Sequence, residues 1–440
     1  MKPKPKDPQR SIFHVSLSHV CDSQNPLFIL ADQIDWQSLD ERFCGLYCED
    51  FGRPAKAVRL MVGLHYLKAM YGESDEAVVI KWVENPYWQY FCGETEFQHE
   101  FPIDPTSMTK WRKRAEKNGL GELLKETIVT GLKVKAVKKK DLLRVNVDTT
   151  VMEKAIAFPT DARLMYKMLL RLLKLARERD VDLRQSYSRK AKKSFIMQHR
   201  YRHARQSKRA NRELRKLRTY LGRVMRDMSR KVINDAEVQV QLDLANRLIR
   251  QQREDKNKIY SLHAPEVECI AKGKAHKKYE FGVKLGLIAT SKNPFILASK
   301  ALSGNPYDGH RLQELLDEAN KNIGKDKIRQ VFADQGYRGH NATNENIEVH
   351  IVKRGMKRLK ASLRYWLKRR SAIEPVIGHM KNDNGTRKNH LKGQEGDTMN
   401  AILMACGYNL RRCLAALIFL FKIFKMYFLL SQKNLTLKII

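Results

Sequence analysis

The stretch that decides the predicted core is residues 142–150, LLRVNVDTT. Apolar residues alternate along it and two of them are the β-branched Val145 and Val147, so it predicts a β-strand. The strand ends at a polar side chain, Asp148. Open α/β sheets carry their functional groups beyond the carboxyl ends of the strands, and Asp148 is therefore the first candidate for a functional residue.

Further strands are predicted downstream, where the spacing of apolar residues changes to a period of two. The predicted strand at 279–289 reads YEFGVKLGLIA. Another predicted strand ends in the segment Asp334-Gln335-Gly336-Tyr337. Strands are predicted at 155–158, 279–289, 295–302, 328–333 and 349–352, a hairpin-closing turn at 303–309, and helices at 311–323 and 362–381. This order predicts a mixed α/β sheet that is interrupted by a long insertion.

The insertion, residues 161–260, contains one Gly and no Pro, and its leucines recur at helical spacing, so it predicts a helical hairpin or bundle. Within it, residues 187–231 carry seventeen Lys and Arg against Glu213 and Asp227, a net charge of +15. A run of one sign repels itself and favours an anionic partner, although a solvated helix is the alternative. The candidate phosphate contacts in this run are Arg205, Lys208, Arg209 and Arg212.

The N-terminal region divides into an irregular lead-in, residues 1–50, and a helical segment, residues 51–125. Helical spacing begins after Pro54, Ser74 is a candidate N-cap for a second helix, and a third helix is predicted at 107–117. Its cations suggest a small DNA-reading module, and an ordinary helical subdomain fits the spacing equally well. These candidate contacts are Lys110, Arg112, Lys113 and Arg114.

The charge balance limits the classes of function. The 440 residues include 84 Lys and Arg against 48 Asp and Glu, a formal net charge of +36, and 42% of the residues are hydrophobic. The chain can build a core, and its charge favours a polyanionic partner over a merely soluble basic protein. No secretory signal is expected, because the Lys- and Pro-rich first ten residues have no apolar stretch behind them. The apolar segment 413–421 is too short to cross a bilayer, which takes about 20 residues.

Three acidic residues from separate elements could form one site: Asp148, Asp334 and Glu374. Taken singly, each aspartate could cap a turn and the glutamate could be a solvated helix residue. Together they make an oxygen-rich cluster suited to Mg²⁺ or Mn²⁺. Two such ions support phosphodiester cleavage. Arg370 and Lys381 are predicted on the same helix face as Glu374 and could grip phosphates, the alternative being ion pairing within the helix.

Three motifs carry a resemblance to a known family: NVDTTV at 146–151, VFADQGYRGH at 331–340 and RRSAIEPVIGHMKND at 369–383. Over roughly 30–412, the chain resembles the DDE transposases of bacterial insertion sequences, in the group with an N-terminal helical domain. The family signature Y-x2-R-x3-E-x6-K is matched by Arg370, Glu374 and Lys381. Its tyrosine position holds Leu367, with Tyr365 and Trp366 close by.

The resemblance implies an RNase H-like catalytic core, an α/β fold formed by residues 140–160 and 261–412. It implies that Asp148, Asp334 and Glu374 bind two Mg²⁺ or Mn²⁺ ions and that Arg370 and Lys381 contact DNA. The helical domain, 51–125, would read terminal inverted repeats, and the basic insertion, 161–260, would follow phosphates. The enzyme would cleave double-stranded DNA at the repeats and join the freed 3′-hydroxyl to target DNA, as a homo-oligomer in the bacterial cytoplasm, associated with the nucleoid and not with a membrane.

The apolar C-terminal tail, residues 413–440, departs from what is expected of a soluble protein. It could be a core helix followed by an oligomerisation segment, or the product of an altered reading frame. Two other classes of function compete with a transposase. A non-enzymatic DNA-binding protein, inactive or domesticated, would use the basic helices alone. An RNA-binding or ribosome-associated factor would explain the charge and leave the signature around Glu374 unexplained.

Overall fold

A computed structural model describes residues 2, 15–48, 52–115, 119–232, 234–252, 254–271, 277–324, 327–352 and 359–436, with side chains up to residue 423. The chain forms two compact units. The first, here the core unit, comprises residues 1–153 and 283–440. The second, here the insertion unit, comprises residues 154–282.

The core unit begins with short helices. They are α1 (Leu17–Val20), α2 (Pro26–Gln33), α3 (Trp36–Cys44), α4 (Val58–Tyr71), α5 (Asp75–Glu84), α6 (Pro86–Phe91), α7 (Thr106–Ala115) and α8 (Gly121–Lys133). Ser74 caps α5 as predicted, because its side chain accepts a hydrogen bond from the Ala77 amide at 3.0 Å. Helix α4 ends at Gly72, whose φ of 68° lies in the left-handed region that glycine adopts without strain. The predicted third helix corresponds to α7, and residues 116–118 lie outside the described part.

Five strands of the core unit form a mixed sheet in the order β4–β3–β1–β5–β6. They are β1 (Arg144–Glu153), β3 (Tyr279–Thr290, whose first residues belong to the insertion unit), β4 (Ile296–Leu302), β5 (Gln330–Ala333) and β6 (Glu348–Ile351). Strands β1, β5 and β6 pair in parallel, and β3 with β4 is antiparallel. The register pairs Asn146 with Phe332, so Asp148 and Asp334, each two residues further on, lie at the same level of adjacent strands.

The later helices of the core unit are α13 (Leu312–Ile323), α14 (Ala361–Arg369), α15 (Ile373–Asn382) and α16 (Gly393–Thr436). The helix predicted at 362–381 is therefore not continuous: a 3₁₀ turn at Arg370–Ala372 separates α14 from α15. The side-chain amide of buried Asn146 on β1 donates to the carbonyl of Arg369 at 3.1 Å. That bond takes up a carbonyl at the end of α14, where the helical hydrogen-bond pattern changes.

Two other local predictions were wrong. Residues 155–158 form no strand: the Lys154 amide still bonds the Phe281 carbonyl, but Pro159 lacks an N–H and Phe158 is exposed. The turn of the β3–β4 hairpin lies at 291–295, where the Thr290 amide bonds the Phe295 carbonyl. Residues 303–309, predicted to close that hairpin, follow it and lead into α13.

One hydrophobic cluster joins the N-terminal helices to the sheet. Trp82 of α5, Leu64 of α4, Val147 of β1 and Leu403 of α16 all belong to it. Residues 51–125 therefore share their core with the sheet and do not pack as a body of their own. Helix α16 closes this core, and Asn409 on it donates to the Ile296 carbonyl of β4 at 2.9 Å.

Helix α16 is also the one described helix that is long and apolar enough to cross a membrane. This applies to residues 393–423, and 56% of its most apolar window is buried within the protein. The helix continues without a break through residue 413, where a separate tail was predicted. Beyond that point the described side chains of Ile418, Phe419, Leu420 and Phe421 are exposed.

The insertion unit is the helical bundle that the sequence predicts. Its elements are α9 (Asp161–Glu178), α10 (Ser188–His203), α11 (Ser207–Lys231), α12 (Ala236–Arg250) and strand β2 (Glu268–Ala271). Its helices bury a separate core, with Leu169, Leu221 and Leu242 at most 4% exposed. Strand β2 pairs antiparallel with Tyr279–Gly282 of β3.

Candidate active site

Asp148 projects from the middle of the sheet. Its strand, β1, is buried on both sides of this position, with Val147 fully buried. The carboxylate keeps 17% of its side-chain surface exposed and lies 3.4 Å from the guanidinium of Arg370. The Asp148 side chain also accepts a hydrogen bond from the Thr149 amide at 2.7 Å, which fixes its orientation.

Asp334 lies directly after β5, in the turn Gln335–Tyr337. Its carboxylate accepts a hydrogen bond from the Gly336 amide at 2.9 Å. A Cβ on Gly336 would lie 3.0 Å from an Asp334 oxygen and 3.5 Å from an oxygen of Asp308. A side chain at this position would therefore press on the Asp334 carboxylate and touch that of Asp308 at ordinary contact distance.

Glu374 comes to the site from the first turn of α15, with 62% of its side chain exposed. Arg370 joins it to the sheet, because one guanidinium lies 3.1 Å from Glu374 and 3.4 Å from Asp148. Of the two alternatives predicted for Arg370, the ion pair with Glu374 four residues on is present, and an unpredicted second pair reaches Asp148 on β1. The guanidinium partly neutralises the two carboxylates.

No group of three His, Cys, Asp or Glu side chains in the described part of the chain is arranged to hold a metal ion. The sequence predicts an oxygen-rich cluster of Asp148, Asp334 and Glu374, and in this structure the Arg370 guanidinium pairs with two of these carboxylates, Asp148 and Glu374. The donor set still fits a hard cation, because it consists of carboxylate oxygens.

A fourth acidic residue, Asp308, lies near these carboxylates and was not predicted from the sequence. Its carboxylate accepts hydrogen bonds from the Thr149 hydroxyl at 3.0 Å and from Lys284 Nζ at 2.9 Å. Thr149 is the residue after Asp148, so Asp308 braces the strand that carries the first carboxylate. The only signal in the sequence was an acid in the turn SGNPYDG, which by itself indicates no more than a turn.

Tyr337 lies under these carboxylates. It is fully buried, and its hydroxyl has no hydrogen-bond partner among the described residues. Burial raises the pKa of Tyr337 well above its usual value, and the negative charges of Asp308, Asp148 and Asp334 raise it further. The hydroxyl therefore keeps its proton and remains a free donor next to the acidic groups.

The predicted DNA contacts differ in how accessible they are. On α7, Lys110, Lys113 and Arg114 are exposed, whereas Arg112 is 4% exposed and forms a two-pronged ion pair with Asp75 at 2.5 and 2.9 Å. Of the four cations predicted to contact DNA on α7, Arg112 is therefore the one whose guanidinium is engaged inside the core unit. The four candidates of the insertion unit, Arg205, Lys208, Arg209 and Arg212, are all exposed.

Lys381 lines a cavity of about 1000 Å³ in the core unit. Lys113 of α7 lines the same cavity, and so do cations of the segment after α15, Arg387, Lys388 and Lys392. The cavity thus joins the helix predicted to read DNA with the helix that carries Glu374. Arg370 turns toward the carboxylates instead, so the two cations of the signature have different surroundings.

At the tyrosine position of the signature, Leu367 is buried. Its neighbour Tyr365 is half exposed, and Trp366 lies under the guanidinium of Arg144, 4.9 Å from the ring centroid. Tyr365 and Trp366 thus lie at the Arg144 end of β1, and Glu153 is at the other end of that strand.

Comparison with known proteins gives two matches to family models. Residues 15–114 match the family described as Transposase domain (DUF772), and residues 247–410 match the Transposase DDE domain. Asp308, Asp334 and Glu374 lie inside the second match, and Asp148 lies outside it. A curated protein of Rhizobium meliloti, "Uncharacterized protein ORF8 in nfe locus", is 49% identical over 207 residues, which is 47% of this chain and all of the relative. No solved structure matches the chain.

The mixed sheet, the carboxylates Asp148 and Asp334 on its adjacent strands and the helical N-terminal region define a class, that of mixed α/β proteins with a group of acidic residues on the sheet. The family matches make it specific: the chain belongs to the DDE transposases of insertion sequences.

Proposed function

We propose that this protein cuts double-stranded DNA at the terminal inverted repeats of its element and transfers the freed ends to target DNA, with Asp148, Asp334 and Glu374 as its catalytic carboxylates. One observation carries the proposal. Asp148 and Asp334 lie at the same level of adjacent parallel strands, and Arg370 links Asp148 to Glu374. The family matches support an RNase H-like core around them.

The three carboxylates offer oxygen ligands for two Mg²⁺ or Mn²⁺ ions, the hard cations that such donors prefer. Bound there, divalent ions would supply activation of the attacking oxygen and stabilisation of the leaving oxygen. Arg370 would then release the carboxylates and take a DNA phosphate, a ligand that suits its planar guanidinium equally well.

The remaining residues of the site orient the carboxylates. Lys284 neutralises Asp308, and Asp308 in turn holds Thr149, next to Asp148. Asn146 holds the turn that presents Arg370. These contacts fix the acidic groups before substrate arrives, which is the condition for efficient catalysis by positioning.

Two exposed sets of cations and one cavity would hold the DNA. Lys110, Lys113 and Arg114 of α7 would contact the inverted repeat, and Arg205, Lys208, Arg209 and Arg212 would contact phosphates away from it. The cavity shared by Lys113 and Lys381 would guide the strand between α7 and α15. Phosphate contacts of this kind position DNA and carry no sequence information.

The protein would act as a homo-oligomer, because two ends of the element must be held together, and it would work in the cytoplasm at the nucleoid. We propose no role for a membrane, because the first half of α16 packs against α4, α8 and β4 of the core unit.

The test is a cleavage assay with the full chain and a labelled duplex carrying the inverted repeat that flanks its own gene, in Mg²⁺ or in EDTA. The parent is expected to cut at the repeat boundary in Mg²⁺ only. Asp148→Asn, Asp334→Asn and Glu374→Gln should each abolish cutting while binding the duplex. The matched control is Glu345→Gln, because Glu345 is an exposed acid on the same unit.

Two results would contradict the proposal. If the Asp334→Asn protein cuts as fast as the parent, the assignment of the carboxylates is wrong. If parent and variants all bind DNA in a salt-sensitive way and none cuts it, the protein is a non-enzymatic DNA-binding member of the family.

A further inference from the structure

The insertion unit contains a cavity that the proposed chemistry does not use. Its volume is about 440 Å³, within the range of about 300–1000 Å³ that small-molecule sites occupy. Its walls come from the start of α9, from α10 and α11, from the loop at 258–260, and from strands β2 and β3. All of these belong to the insertion unit, so the cavity is complete within it.

Three aromatic side chains form one side of this cavity. The ring of Phe281 lies 5.4 Å from that of Phe158 and 5.4 Å from that of Tyr260, centroid to centroid. Phe158 is 66% exposed, which is unusual for a phenylalanine and leaves its ring open to a ligand. Tyr260 and Cys269 both line the cavity beside this ring.

Basic side chains form the other side. His199 and Arg202 lie three residues apart on α10 and so share a helix face, and Lys258 reaches the cavity from its loop. None of these three side chains has an ion-pair partner within the described ranges. Asp161 is the one acid among the described lining residues, and its carboxylate already accepts a hydrogen bond from Gln251 at 3.1 Å. The cavity therefore combines flat aromatic surface with uncompensated positive charge.

The wall is braced from within the unit. Gln251 donates to Asp161 through its amide nitrogen and accepts from the Ile259 amide at 3.0 Å through its oxygen. One side chain thus ties the loop that carries Lys258 and Tyr260 to the beginning of α9. A site braced in this way loses little conformational entropy when a ligand is bound.

We propose that this cavity binds one nucleotide, with its base against Phe158, Phe281 and Tyr260 and its phosphate on Arg202, Lys258 and His199. A purely apolar ligand would gain nothing from the cations, and a bare phosphate would gain nothing from the rings; a nucleotide uses both. The nucleotide is a unit of a DNA strand, because Arg202 belongs to the run of exposed cations on α10 and α11. In this respect the inference rests on the proposed function.

The first experiment measures the binding of a fluorescent 12-nucleotide single strand to the full chain by anisotropy, across a series of salt concentrations. Phe158→Ala is expected to weaken binding about fivefold or more at every salt concentration, which is the loss typical of one base stacked on an aromatic ring. The slope of log affinity against log salt should not change, because every cation that binds a phosphate is still present. Phe158→Tyr should keep the affinity of the parent.

Arg202→Gln is expected to behave differently. It should weaken binding and also lower the salt slope by about 0.7, the value for one neutralised phosphate on a single strand. The matched aromatic control is Phe101→Ala, because Phe101 is 65% exposed on the core unit. This variant should bind like the parent. If Phe158→Ala and Phe101→Ala have the same affinity, the inference is overturned.

A second experiment locates the base and identifies its source. A single strand with one photoreactive iodouracil is cross-linked to the full chain and the modified peptide is identified by mass spectrometry. Cross-links to the peptides of Phe158, Tyr260 or Phe281 support the site, and cross-links only elsewhere overturn it. Competition by free dTMP as strong as that by the unlabelled oligonucleotide keeps the site but assigns it to free nucleotides and overturns the DNA strand as its source.

The outcome separates this inference from the proposed function. A Phe158→Ala protein that still cuts the inverted repeat in Mg²⁺ and still binds the single strand like the parent refutes the cavity alone. A parent that binds and cross-links the single strand through the cavity but never cuts refutes the catalytic proposal alone.

Discussion

His65 is buried beside a charged arginine and stays neutral. Its Nδ1–H donates to the Met61 carbonyl at 2.7 Å, which leaves Nε2 to accept from Arg112 at 3.4 Å. Burial, and then the charge of Arg112, lowers the pKa of His65 to about 3. Burial alone would raise the pKa of Asp75, but the hydrogen bonds and charges of Arg112 and Lys68 outweigh it and hold that pKa well below its usual range.

The stability of the core unit should therefore fall as the pH falls below about 6.5. The unfolded chain protonates His65 in this range and the folded chain does not until about pH 3, so protons favour unfolding. Between pH 7 and pH 5 this contributes a loss of about 2 kcal/mol in the free energy of unfolding. His65→Gln should remove that part of the pH dependence.

Urea unfolding followed by tryptophan fluorescence measures this, because all five tryptophans report on the core unit: Trp36, Trp82, Trp88, Trp111 and Trp366. Exposed His19→Gln is the control. Equal slopes of stability against pH for the parent and His65→Gln would show that the buried imidazole is not responsible.

Arg370 is the counter-charge of two carboxylates. Its replacement in Arg370→Gln leaves Asp148 and Glu374 without this cation, which should lower the melting temperature in EDTA by about 1–2 °C, the effect of a loss of about 1 kcal/mol in a protein of this size. Mg²⁺ should stabilise this variant more than it stabilises the parent, because the ion no longer competes with a guanidinium. Thermal melts with and without Mg²⁺ measure both effects.

The control for this substitution is Lys368→Gln, which removes an exposed cation from α14. An Arg370→Gln protein whose response to Mg²⁺ equals that of Lys368→Gln would mean that Arg370 does not compete with a cation at the carboxylates.

Among the secondary-structure elements, α16 and α4 lie backbone against backbone at Gly407. A Cβ at this position would come closer to the Ala69 carbonyl than any real contact allows, so only glycine lets the two backbones meet there. Most of α4 is buried, and α16 closes the core over it. This crossing is why a helix apolar enough for a membrane ends up inside a protein core.

Gly407→Ala should destabilise the core unit by about 1–3 kcal/mol, because α16 must move away from α4. The control is Gly378→Ala in α15, where a Cβ meets nothing within 4 Å. It should be neutral or slightly stabilising, since alanine favours the helix by up to about 1 kcal/mol. Urea unfolding of both variants tests this, and equal stabilities would show that α16 can shift at no cost.

At the level of the whole molecule, two exposed sets of cations contribute to the net charge of +36 and should behave differently on DNA. Neutralising Arg205, Lys208, Arg209 and Arg212 together should weaken binding to inverted-repeat and unrelated duplexes alike. The salt slope should fall by about 0.9 for each DNA phosphate that the variant no longer neutralises.

Neutralising Lys110, Lys113 and Arg114 should instead reduce the preference for the inverted repeat over unrelated DNA, because α7 is proposed to read the repeat. Binding of both variants to both duplexes across a salt series measures this. A loss of preference in the insertion variant and none in the α7 variant would reverse the two assignments.

The local sequence was sufficient wherever a short-range pattern decides the structure. Alternating apolar residues and the terminal aspartates predicted β1 and β5, Ser74 predicted its helix start, and the absence of Pro in 161–260 predicted the helical bundle. The signature around Glu374 predicted the class of protein, which the family matches confirm. Each of these signals lies within one segment of the chain.

Tertiary structure decided everything that depends on a partner distant in sequence. Arg112 was predicted to contact DNA, but it pairs with Asp75 on another helix. The helix predicted at 362–381 is interrupted where Asn146 hydrogen-bonds to its backbone. Asp308 joined the carboxylates only through Thr149 and Lys284. Charge pairing and hydrogen bonding act over a few ångströms in space, so a linear pattern supplies the groups and only the fold determines which of them meet.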